Sequence, residues 1–325
     1  MVRSRCAVFR STMADRRRAL PVDMSTRVGD VVLRSAVMTA SGTAGHSDEL
    51  AAYGDLSSLG AVVVKSLSVM AWAGNPAPRV HPVDQGMLNA VGLQGPGVDA
   101  WLRDDLPRLT ARDATIVVSI WGRSVDEYRA AAAAMAGRLP TSVVAVEVNL
   151  SCPNMSGHGI FAHDADASCN VVSAVASELS LPVWAKLSPN TDRLVSIAGR
   201  VRDAGAAAVT LINTVLGMAL DPDTGRPALG NGGGGLSGRA IHPVAVRAVY
   251  DVRGAHPDLP IVGVGGVSDG WSAAELLMAG ANAVQVGTAT FADPAAPFRV
   301  ASDLATWIGA SGASSVASIV GRAHA

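Results

Sequence analysis

Three cysteines in 325 residues leave little sulfur chemistry to this chain. Cys6, Cys152 and Cys169 are odd in number and form no Cys-x-x-Cys pair. That argues against a disulfide framework, a structural zinc site or an iron–sulfur cluster held by this chain alone. Charge is also sparse, at 16% with a formal net of −1, so there is no electrostatic footprint for nucleic acid or an anionic membrane. No apolar run is long enough to cross a bilayer, and no linker or internal repeat divides the chain. A reducing cytoplasm is the expected compartment. The N-terminus departs from this pattern, with Arg3, Arg5, Arg10, Arg16, Arg17 and Arg18 among Ser, Ala and Met. No apolar segment follows them, which argues against a secretory signal, and Asp15 and Asp23 weaken a transit-peptide reading. Residues 1–23 read as a disordered extension, and 24–325 as a single domain.

What is present is apolar content, 49% of residues, distributed in eight short runs. They are 36–39, 61–64, 115–118, 143–148, 182–185, 207–212, 261–264 and 283–286. Most precede a turn and a helical pattern, with helices expected over 126–138, 168–179, 191–203, 243–253 and 272–279. Eight strands alternating with helices predict a (β/α)8 TIM barrel rather than a doubly wound sheet. Val28 to Arg34, with Gly29-Asp30 as its turn, predicts a small hairpin plugging the floor. Three connections exceed ordinary barrel loops: 66–96, 152–167 and 213–243. In the second, Gly157 and Gly159 suit the hinges of a lid.

The run Val143 to Val148 ends in Asn149-Leu150-Ser151-Cys152-Pro153-Asn154. Barrel chemistry is done at C-terminal strand ends, and Pro153 stiffens the loop that carries the thiol. Cys152 is therefore a candidate acid/base or nucleophile. A lone cysteine is more often a small buried hydrophobe, but the flanking carboxamides favour chemistry. Two glycine sites, Gly265-Gly266 and Gly287-Thr288, follow the last two strands, where barrel phosphate sites recur. Lys65 and Lys186 close the second and fifth strands and should point into the barrel mouth. Asn89, Asn213 and Thr214 add amides and a hydroxyl. Such a rim suits a planar heterocycle with N–H and C=O edges plus a carboxylate. It does not suit a metal, because the carboxylates and histidines are scattered.

Together these segments resemble the class 1 dihydroorotate dehydrogenases. Ala40-Ser41-Gly42, Val64-Lys65-Ser66, Gly74-Asn75-Pro76, Leu88 to Pro96, Asn149 to Asn154 and Lys186 to Asn190 carry the likeness. So do Ile212-Asn213-Thr214, Gly235 to Gly238, Gly265-Gly266 and Gly287-Thr288. Gly86 to Gln94 is more similar to the B-type, NAD+-linked catalytic subunit. The resemblance implies FMN across the barrel mouth, its phosphate held near Gly265, Gly266, Gly287 and Thr288. Ser41, Lys65, Ser66, Asn149, Lys186, Ile212 and Gly238 would line the rest of the cofactor. Dihydroorotate would be read by Lys65, Asn89, Ala90, Val91, Gly92, Leu93, Asn149, Asn154, Asn213 and Thr214. Ser119 stands where B-type enzymes usually carry an asparagine touching FMN, and Arg239 where a proline is commoner.

The implied reaction removes a proton from C5 of dihydroorotate, with Cys152 as base, and a hydride from C6. It belongs to pyrimidine biosynthesis. A homodimeric core with a partner subunit carrying FAD and a [2Fe–2S] cluster is implied, forming a heterotetramer that delivers electrons to NAD+. An A-type homodimer reducing fumarate is the close alternative. A tRNA-dihydrouridine synthase is a distant one, since such a protein needs a basic face.

Overall fold

A computed structural model describes residues 22–151 and 161–325. Eight parallel strands form its centre: β1 (Val37–Thr39), β2 (Val62–Val63), β3 (Ile116–Ile120) and β4 (Val143–Asn149) in the first half. The second half supplies β5 (Val183–Lys186), β6 (Ala208–Leu211), β7 (Ile261–Val264) and β8 (Ala283–Val286). Neighbours run in chain order from β2 to β8, and β8 returns to β1. At the seam, Gly60 N–H donates to the Val37 carbonyl at 2.8 Å. There, Thr39 Oγ1 accepts from Val63 N–H at 2.8 Å, so a side chain completes the ring. This is the expected (β/α)8 barrel. Both faces of the strands are covered, which is why the runs are apolar almost continuously instead of alternating.

Helices shield the outside, and their caps set where they begin. Asp164 accepts from Ala167 N–H at 2.9 Å and starts the helix Ala165–Ala176 three residues ahead of the expected boundary. Ser124 and Asp269 cap Val125–Met135 and Gly270–Ala279 in the same way. A last helix, Ala296–Ala310, buries Val300, Leu304 and Ile308 at i, i+4 spacing; it is absent from the expected set. Among the described residues, no helix is long and apolar enough to cross a membrane.

The hairpin Thr26–Val28 and Val31–Leu33 turns at Gly29-Asp30, as read from the sequence. Its Val28, Val31 and Leu33 pack on Met38, Val63, Val117, Ala145, Trp184, Ala208, Val262 and Ala283, one side chain from every barrel strand. The floor is therefore closed and apolar.

Over the opposite end lies a four-stranded antiparallel sheet, in the order 215–217, 234–237, 86–89, 80–83. The sequence showed these segments only as two long connections. Pro82 and the run Gly232 to Gly235 suppress any local strand signal. Pairing creates the strands instead, with Asn89 opposite Gly235 across 146 positions. Of the remaining long connection, 152–167, residues 152–160 lie outside the described residues, and with them the lid hinges expected at Gly157 and Gly159. Phe161–His163 forms a short turn tied by Ala162 N–H to the Leu150 carbonyl at 2.9 Å.

Candidate active site

Side chains two apart on a strand share a face. Two residues beyond the apolar floor, the same inward faces present Lys65, Ser119, Glu147, Lys186, Thr210 and Gln285. Glu147 is fully buried, and its Oε2 accepts from Thr210 Oγ1 at 3.1 Å and Gln285 Nε2 at 2.9 Å. Lys186 Nζ stands 3.7 Å from Glu147 Oε1 and donates to Ser41 Oγ at 3.1 Å. Sequence reasoning passed over Glu147. Its signal was there: an acid inside a β-branched run, two positions before the candidate Asn149 and therefore on its face.

Above this tier opens a cavity of about 560 Å3, a size typical of small-molecule sites. Ser41, Lys65, Ser66, Asn149, Lys186, Ile212, Gly238, Gly265, Gly266, Gly287 and Thr288 all line it. So do Asn89, Ala90, Val91, Gly92, Leu93, Asn213 and Thr214. Ser119 instead sits fully buried behind the wall, its Oγ 2.9 Å from Ser66 Oγ; it supports Ser66 rather than lining the cavity. Cys152 and Asn154 lie outside the described residues.

One end of the cavity is built of backbone. Gly266 has φ +70°, and a Cβ there would come within 2.6 Å of His242 Cβ and 2.9 Å of the Gly238 carbonyl. Among the described residues, the N–H groups of Gly266, Gly287 and Thr288 have no hydrogen-bond acceptor. Unpaired N–H groups converging at strand ends form an anion cradle.

The other end is built of amides. Asn149 donates to Ser66 Oγ at 3.3 Å and accepts from Asn213 Nδ2 at 3.1 Å, so both carboxamides are held in fixed orientations. Asn89 Nδ2 donates to the Gly235 carbonyl in the roof sheet at 3.2 Å. Gly92 and Leu93 turn their loop with φ of 75° and 60°. Arg79, which the sequence did not single out, staples that loop. It donates to the Asn75 carbonyl at 2.6 Å, Gln94 Oε1 at 2.6 Å and the Ala73 carbonyl at 3.0 Å. Burial, and then the Arg79 charge, push the Lys65 ammonium below the ordinary lysine pKa. His46 is pushed down likewise, by burial first and Lys65 second.

Unpaired backbone N–H groups, the half-buried Lys65, the buried Lys186 and oriented carboxamides thus share one cavity at the C-terminal mouth of the barrel, a donor set that suits an anion beside a polar ring. The family model for dihydroorotate dehydrogenase matches residues 23–308. A dihydroorotate dehydrogenase B (NAD+) catalytic subunit from Geobacter sp. is 45% identical over 300 residues, 92% of this chain and 97% of the relative. One of the same name from Desulforudis audaxviator is 45% identical over 308 residues, covering 94% and 99%. A third, from Geotalea uraniireducens, is 44% identical over 300 residues. The chain belongs to the dihydroorotate dehydrogenase family.

Proposed function

We propose that the chain is the catalytic subunit of a B-type enzyme oxidising dihydroorotate to orotate in pyrimidine biosynthesis, with FMN in the barrel-mouth cavity. The observation that carries this reading is the cavity itself, in which a backbone anion cradle and a set of oriented amides share one space. The residues fit the cofactor. Gly265, Gly266, Gly287 and Thr288 would hold its phosphate, and Ser41, Ser66, Lys186, Ile212 and Gly238 the remainder. The chemistry FMN supplies when bound is acceptance of the hydride from substrate C6.

The chain's own groups do the rest. Lys65 pairs with the substrate carboxylate, while Asn89, Asn149, Asn154 and Asn213, with Thr214 and the 90–93 loop, orient the ring. Cys152 takes the C5 proton. A free thiol titrates near 8.5, so it needs a lowered pKa to act near neutrality; the Lys65 charge is a source of that depression. Lys186 offsets negative charge developing at the far edge of the cavity.

The names of the relatives, which print both NAD+ and a catalytic subunit, support an acceptor reached through a partner. We assign that partner FAD and a [2Fe–2S] cluster, in a cytoplasmic heterotetramer on a homodimeric core, with residues 24–325 as the functional domain. Steady-state turnover with dihydroorotate tests this. Reduction of NAD+ only when the partner subunit is added is the expected result; turnover with fumarate and never with NAD+ points to the A-type. Cys152→Ser should lose most activity at neutral pH and regain part of it at high pH. An unchanged pH–rate profile rejects Cys152 as the base.

A further inference from the structure

Glu147 has no part in the roles given so far, yet it is 0% exposed at the centre of the barrel. A buried carboxylate is costly unless compensated. Thr210 and Gln285, from β6 and β8, both donate to Oε2 and so fix the group. Oε1 has no hydrogen-bond donor among the described residues and faces β5, where Lys186 Nζ stands 3.7 Å away. Lys186 in turn is 5% exposed, lines the cavity and is steered sideways by Ser41. We propose that Glu147 is a positioning residue that fixes the Lys186 ammonium in the cavity wall and offsets its charge, thereby lowering the reduction potential of the flavin seated against it. Unit charges this close inside a protein interact well above thermal energy, so a flavin at Lys186 meets an ammonium whose charge is partly offset, not a bare cation. This rests on the FMN reading above.

The test is the reduced-to-oxidised ratio of bound FMN at a fixed reference-dye potential, in wild type, Glu147→Gln and Glu147→Asp. Glutamine keeps an acceptor for Thr210 and Gln285 but removes the charge. Its ratio should rise about fivefold or more, while aspartate, which keeps the charge, stays near wild type. Equal displacement in both variants would mean packing rather than charge and overturns the proposal, as does no displacement in either. Should Glu147→Gln fail to fold, Lys186→Gln is compared with the Lys186→Gln, Glu147→Gln double variant. The two ratios should lie within about twofold of each other, since no ammonium is left to offset; a rise of about fivefold would mean that Glu147 acts on the flavin without Lys186 and overturns the proposal. A wild-type chain that takes up no FMN overturns both readings; a loaded chain whose ratio ignores Glu147 overturns only this one.

Discussion

Two tiers of one barrel, about 7 Å apart along the same strands, have opposite chemistry. The lower is Met38, Val63, Val117, Ala145, Trp184, Ala208, Val262 and Ala283, sealed by a hairpin. The upper carries Lys65, Glu147, Lys186, Thr210 and Gln285, with Asn149 one step higher. Apolar burial drives folding and asks little of orientation. Charged and amide groups cost stability to bury and contribute only when held in one geometry. The division of labour follows: the floor stabilises the barrel, and the mouth gives up part of that stability for chemistry.

Breaking the floor should produce the largest change. Trp184 is fully buried there, and Trp184→Ala should cost about 3–5 kcal/mol of unfolding free energy. Denaturant titration reads this, and FMN affinity of the surviving folded fraction should stay near wild type. The mouth should answer in the opposite sense. Because burial disfavours the charged form of Lys65, Lys65→Met should leave the thermal midpoint unchanged or higher. Its kcat/KM for dihydroorotate should fall about a hundredfold. A midpoint that falls with activity would erase the distinction between the tiers.

A smaller effect is expected at the edge of the mouth. Arg79 acts by stapling the loop of Gly92 and Leu93, so Arg79→Met should raise KM about tenfold while changing kcat less. Smallest is the pH response of His46. Its folded pKa lies below the unfolded 6.5, so the unfolded chain takes up the proton first. The native state therefore loses stability as pH falls through 6.5 toward the lowered folded value. His46→Asn should flatten that decline, by a degree or two in the midpoint between pH 7 and 5. A slope identical to wild type would remove His46 from the acid response.

The barrel was legible because each short apolar run is buried on both faces and bounded by turns, so local composition already reports tertiary position. Local composition is silent where pairing, not propensity, makes a strand: Gly234–Ser237 has no local reason to be extended until Gly86–Asn89 lies beside it. The helix Ala296–Ala310 carried a readable i, i+4 pattern with Pro297 in its first turn. At the site, the glycine pairs, the two lysines and the asparagines stood at strand ends and could be read from there. Glu147 and Arg79 could not be found by position at a strand end: one lies inside its strand and the other acts through a loop's carbonyls.

In the proposed reaction this mouth binds FMN and dihydroorotate reduces it. Anaerobic addition of dihydroorotate to the FMN-loaded chain, followed by absorption, tests it directly. Bleaching of the oxidised flavin bands at one substrate per site is the expected result. Bands that persist in folded, flavin-bearing protein would contradict the substrate, and a chain that retains no FMN would contradict the cradle.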